Sequence, residues 1–120
     1  MKLMSVLSFA VVLAVSTAAS AAETRCGWLQ NPTPGNWWLT DKDASWTLMS
    51  QGEESLDEVM ENLPSFDEKQ YVATNGYYGY GCACLSVDVD KADERIVRTY
   101  SGKILPLSRC EADTSLSKPE

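Results

Sequence analysis

Apolar positions recur along the chain at three spacings. From Leu3 to Val15 they are almost continuous, broken only by Ser5 and Ser8. Between Gly52 and Pro64 they step by three and four residues, at Leu56, Val59, Met60 and Leu63. Elsewhere they alternate with polar residues, most clearly where Leu85, Val87 and Val89 oppose Cys82, Cys84, Ser86 and Asp88. Alternation by two marks a strand with one buried face, and a period of about 3.6 marks an amphipathic helix.

The alternating segments predict about six short strands. The first, residues 25–29, should stop at Gln30-Asn31-Pro32-Thr33-Pro34-Gly35, where two prolines and a glycine disfavour pairing. Residues 36–40 and 45–49 are aromatic and β-favouring, and Asp41-Lys42-Asp43-Ala44 suits a hairpin loop between them. Residues 70–74 end at the turn signal Asn75-Gly76, and residues 77–81 lead into the longest strand pair. A turn at residues 90–93 returns the chain into 95–101, and Gly102 marks a bulge before a last apolar segment at 104–107. One helix is predicted near residues 55–63, with Ser55 and Glu58 as a capping box and Pro64 as its stop. The fold class expected is mainly β (α+β minor): a small antiparallel barrel or sandwich with the helix over an edge or open end.

The continuous apolar run follows Met1-Lys2 and precedes Ala19-Ser20-Ala21, the layout of a cleavable signal peptide over residues 1–21. At about 13 residues the run is too short to span a bilayer. Glu23-Thr24-Arg25 before Cys26 is no setting for lipid attachment. The reading is therefore a periplasmic or secreted protein without a membrane anchor after cleavage, a single domain over 22–113 and a disordered tail over 114–120. Loss of Lys2 takes the formal net charge from −7 to −8. Nucleic acid is a disfavoured partner at that charge, whereas a cationic envelope or secreted protein would be attracted.

There is no histidine, which excludes His-based triads and the usual zinc sets. Cys26, Cys82, Cys84 and Cys110 read as two disulfides, because a small exported domain needs covalent support. A ring between Cys82 and Cys84 would be very tight, so each should pair with Cys26 or Cys110, in either combination. Cys82-Ala83-Cys84 as a redox pair is disfavoured, since it lies in a strand among acidic residues rather than opening a helix.

Several segments together resemble the bacterial family known as DUF4087: Arg25-Cys26-Gly27-Trp28, Asn31-Pro32-Thr33-Pro34-Gly35-Asn36, Leu39-Thr40-Asp41, Trp46-Thr47, Thr74-Asn75-Gly76, Tyr78-Gly79-Tyr80-Gly81-Cys82-Ala83-Cys84 and Leu105-Pro106-Leu107-Ser108-Arg109-Cys110. The resemblance runs from Arg25 to about Asp113, leaves residues 53–63 unplaced, and implies export and paired cysteines but no activity.

Two constellations are candidates for function. Trp37, Trp38, Tyr77, Tyr78 and Tyr80 form a candidate binding surface: adjacent rings on a strand face opposite ways, so one of each pair can be exposed. Trp38 and Tyr78 are the expected exposed rings, and Trp28 and Trp46 the expected core. The competing reading is that a chain with two Phe uses Trp and Tyr as its core. Glu53, Glu54, Asp57, Glu58, Glu61, Asp67 and Glu68 could supply the carboxylate pair of a cell-wall glycan hydrolase, but solvated surface charge is the ordinary role of such residues. Asp88, Asp90 and Asp93 alternate as weak calcium ligands would, without the EF-hand loop. No cofactor is implied. The expectation is a non-enzymatic binding or inhibitor-like module, with a glycan hydrolase or a structural envelope component as alternatives.

Overall fold

The computed structural model describes residues 8–12 and 22–119. Of the segment read as a signal peptide only 8–12 is described, with Phe9, Val11 and Val12 exposed; the rest of that prediction lies outside the described residues.

The elements are β1 (Glu23–Thr33), β2 (Asn36–Thr40), β3 (Ser45–Met49), α1 (Asp57–Met60), a single 3-10 turn (Glu68–Gln70), β4 (Val72–Asn75), β5 (Tyr78–Asp90), β6 (Arg95–Leu105) and α2 (Leu107–Glu111). The strands neighbour one another in the order β1-β2-β3-β6-β5-β4, and β1 also pairs with β5. That last pairing closes β1-β2-β3-β6-β5 into a ring, so the domain is a barrel rather than a sandwich. The closing contact between β3 and β6 is parallel and thin: Thr47 faces Arg95, and the Thr47 N–H donates to the Glu94 carbonyl at 2.9 Å. With β4 set aside as a short strand appended to β5, this is the connectivity of an OB-type Greek-key barrel.

β1 is long because it serves two partners, β5 over Glu23 to Asn31 and β2 over Trp28 to Thr33. It runs through Asn31-Pro32, where the sequence had suggested a stop. The register slips between Gln30 and Thr33, so Pro32 sits in an irregularity where its missing N–H costs no ladder bond. β6 likewise continues through Gly102 to Leu105; Gly102 pairs in register with Leu85, the register shifts fall at Tyr100 and Val97 instead, and Pro106 ends the strand so that Leu107 begins a helix.

Alternation places Leu29, Leu39, Trp46, Leu48, Ala83, Leu85, Val87 and Ile96 inside the barrel, joined by Val59 of α1. Each large aliphatic side chain sealed there contributes about 1.5–3 kcal/mol. Trp28, Tyr80, Cys82 and Cys110 form a second cluster on the outer face, covered by Val72, Leu105, Leu107 and Leu116. Leu116 packs on this cluster and donates its N–H to the Asp113 carbonyl at 3.1 Å.

The disulfides are Cys26–Cys84 and Cys82–Cys110, which settles the open pairing. The first joins directly facing residues of the β1–β5 ladder, and the second fastens α2 to the barrel's outer face.

α1 is one turn, shorter than the predicted helix, and its N-cap is Leu56 with no side-chain cap, so Ser55 does not form the capping box. Only Val59 of the turn is buried, and Leu56 is 53% exposed. The crossover leads on to β4 and passes over β6 on the way, where the Asn62 side-chain amide donates to the Thr99 carbonyl at 3.2 Å.

Candidate functional site

Trp37 shares the inward parity of Leu39 and lies on the edge of the core. It stacks on Phe66 of the crossover with ring centres 5.8 Å apart and planes 6° from parallel. Phe66 packs against Tyr71 at 4.7 Å, and the Tyr71 hydroxyl donates to the Tyr77 carbonyl at 2.7 Å. An aromatic row therefore runs from the barrel interior to the β4–β5 turn. Gly76 supplies the positive φ of that turn, +60°, and Tyr77 beside it is 96% exposed.

The five candidate surface rings do not form one patch. Tyr80 is buried in the outer cluster, its ring edge-on to Trp28 at 5.1 Å. Tyr78 is half-buried, and it is Tyr77, in the turn, whose ring stands free. Trp38 is half-buried on the face of β2 opposite Trp37, opposite Gln30 of β1 and Thr47 of β3 in the ladders. Phe66 and Tyr71 join the row although neither is among the five candidate surface rings; the signal each carries in the sequence is its aromatic character beside the acidic stretch.

The crossover between β3 and β4 carries seven carboxylates, Glu53, Glu54, Asp57, Glu58, Glu61, Asp67 and Glu68, all exposed. Among the described residues only Glu53 of these is ion-paired, to Arg95 at 2.7 Å. The aromatic row leaves the crossover at its C-terminal end, next to Asp67 and Glu68.

A second constellation is built on Arg25. Its guanidinium donates to Glu23, Asp41 and Asp43 and lies 4.1 Å from the centre of the Trp46 ring. Burial opposes charge on Asp41, but hydrogen bonds from Arg25 and from the Ala44 and Asp43 N–H groups outweigh it and hold the carboxyl below the usual range. Burial likewise opposes charge on Arg25, and its three carboxylate partners overcome that and raise its pKa. The Trp46 indole N–H lies close enough to favour the Asp41 carboxylate without completing a well-formed hydrogen bond. This network pins the β2–β3 turn to β1, a structural task.

Among the described residues no group of three potential ligands could hold a metal. Asp88 instead accepts from the Tyr100 hydroxyl at 2.6 Å, and Asp90 accepts from the Asp93 N–H at 3.2 Å.

The fold defines a small, disulfide-stapled β-barrel protein. Residues 20–117 match the family described as protein of unknown function (DUF4087), and the chain belongs to that family. No curated protein and no solved structure matches it. The two disulfides fit an oxidising, exported environment, and no helix among the described residues is long and apolar enough to cross a membrane.

Proposed function

We propose that the protein is an exported, periplasmic or secreted, non-enzymatic binding module that docks on a cationic protein through its acidic crossover. The observation that carries this reading is one stretch of chain presenting seven exposed carboxylates, six of them outside any ion pair among the described residues, beside an aromatic row whose last member, Tyr71, bonds the backbone of Tyr77, the residue with the free ring. Carboxylate fields of this kind accelerate encounter with a positive partner, and aromatic anchors supply affinity. A lytic enzyme or toxin with a positive cleft has the complementary chemistry, which would make the domain inhibitor-like. Barrels of this connectivity also bind oligonucleotides, but a net charge of −7 opposes a polyanion. A glycan hydrolase needs two carboxyls about 5–9 Å apart in unlike environments, and the uniform exposure of the crossover carboxylates favours docking over that chemistry.

The test is recovery of partners from envelope extract with the mature domain, followed by association kinetics at low and high salt. Association should slow about tenfold or more between 50 and 500 mM salt while dissociation changes little. Association indifferent to salt would remove the acidic crossover from the mechanism.

A further inference from the structure

We propose that Cys26–Cys84 is an exchangeable disulfide, a site at which a dithiol oxidoreductase forms a mixed disulfide with this protein, while Cys82–Cys110 is its fixed structural staple. The two bridges start from Cys82 and Cys84, which share one face of β5, and all four cysteines line a single cavity of about 130 Å³ together with Arg109. They differ in access. Cys26 is exposed and Cys84 half-buried, whereas Cys82 and Cys110 are 1% and 4% exposed beneath Leu105, Leu107 and Leu116. Thiol–disulfide exchange requires a thiolate to reach a sulfur, and Cys26 is the exposed half of the one bridge that is not buried.

They differ also in what they hold together. Cys26 and Cys84 face each other within a ladder that pairs β1 with β5 continuously from Glu23 and Val87 to Asn31 and Gly79. Those strands stay together when the bridge opens. Cys110 sits in a five-residue helix that has no strand ladder to hold it, so the second bridge joins the Leu107 N–H bond to Gln70 and the Leu107 packing in keeping α2 on the barrel.

In the exchange, a thiolate of the partner attacks Sγ of Cys26 and a new S–S bond forms between them. The Cys26–Cys84 bond breaks, and its electron pair leaves on Cys84 as a thiolate, in a cavity lined by both Arg109 and Asp113, before a solvent proton neutralises it. The partner's second thiolate then attacks the partner sulfur of the mixed disulfide and releases Cys26 as a thiol. The partner's dithiol is oxidised to a disulfide and the Cys26–Cys84 bridge reduced to two thiols. Run in reverse, an oxidising partner installs the bridge on a folded barrel. This site is independent of the acidic crossover.

The experiment treats native mature protein, without denaturant, with a thioredoxin-type dithiol protein. Samples are alkylated over time and peptides are quantified by mass spectrometry beside far-UV circular dichroism. Cys26 and Cys84 should be alkylated at least about tenfold faster than Cys82 and Cys110, with the dichroism spectrum retained at that stage. An oxidoreductase variant lacking its resolving cysteine should be trapped on the Cys26 peptide. Opening of both bridges at one rate, opening of Cys82–Cys110 first, loss of the spectrum with the first bridge, or an adduct on Cys84 would each overturn the assignment. The double variant Cys26→Ser with Cys84→Ser should fold and keep Cys82–Cys110, and failure to do so would overturn it as well.

Discussion

Arg25 on β1 donates from Nη1 to Asp41 Oδ2 at 2.8 Å, and the pair is nearly sealed, with 11% and 4% of the two side chains exposed. Asp41 also accepts the N–H groups of Asp43 and Ala44, so one carboxylate both shapes the β2–β3 turn and anchors it to the neighbouring strand. Removing Asp41 takes away the most buried partner of Arg25 and leaves the guanidinium with the more exposed carboxylates of Glu23 and Asp43, while the Asp43 and Ala44 N–H groups lose a charged acceptor.

Asp41→Asn should therefore lower stability at neutral pH by about 2–4 kcal/mol, measured by denaturant unfolding. The sign of the pH dependence follows from the folded carboxyl lying below its ordinary range. Its contribution is present above the unfolded-state pKa and lost as pH falls through the folded value, so wild-type stability should drop as pH falls through and below the ordinary carboxylate range. Arg25, raised in the folded state, keeps its contribution throughout that window and loses it only at strongly alkaline pH. In Asp41→Asn the acid limb should be shallower; an unchanged limb would assign acid lability to other groups.

A methyl group at Gly79 would lie 1.9 Å from the carbonyl oxygen of Val72, so β4 can lie against β5 only where residue 79 lacks a side chain. Gly79→Ala should push β4 off β5 at a cost of about 1–3 kcal/mol. Amide hydrogen exchange should show protection lost at residues 72–75 while the β1–β5 ladder keeps its own. Uniform loss of protection, or none, would contradict this local mechanism.

The two disulfides close loops of 58 and 28 residues in sequence separation, for which chain entropy gives about 4 kcal/mol each. Stability alone will not distinguish them, but local exchange should. Replacing Cys82 and Cys110 by Ser should expose the amides of α2 and the Leu116 turn, whereas replacing Cys26 and Cys84 should leave those amides protected. Equal behaviour of α2 in the two variants would mean that Leu107 and Leu116 alone hold it.

The legible parts of the fold are those decided locally. Leu85 and Val87 announced a one-sided strand, Asn75-Gly76 a turn, and Trp28 and Trp46 proved to be core. Barrel closure was not legible, because β1 meets β5 across about fifty to sixty intervening residues, Asn31 with Gly79 to Glu23 with Val87, and no local pattern encodes that register. The helix was overstated because Leu56 satisfies the periodicity but stays exposed: amphipathic spacing permits a helix, and the packed neighbour decides its length. Tyr80 was misplaced for a related reason. Its alternation puts it on the outer face with Cys82, as expected, but Val72, Leu105, Leu107 and Leu116 arrive from distant segments and cover that face. Tyr77 is free because it belongs to the turn rather than to the strand.

Tyr77 and Tyr80 therefore separate the docking reading from the core reading of the aromatic residues. Tyr77 is 96% exposed, so Tyr77→Ala should leave stability within about 0.5 kcal/mol of wild type. If its ring anchors a cationic partner, the same change should speed dissociation and cost about 2 kcal/mol of affinity. Tyr80 is 7% exposed and packs edge-on against Trp28, so Tyr80→Ala should cost about 3 kcal/mol of stability, and weaker binding would follow from unfolding alone. Replacing Glu54, Asp57 and Glu58 together by Gln and Asn should slow association and reduce its salt dependence while leaving dissociation nearly constant, because these carboxylates act over distance rather than by contact. Surface-based kinetics against the recovered partner, with circular dichroism on every variant, resolves the three cases. A folded Tyr77→Ala protein that binds with wild-type kinetics would remove Tyr77 from the interface. If the charge-neutralised variant also associates at the wild-type rate, the crossover is not the docking surface.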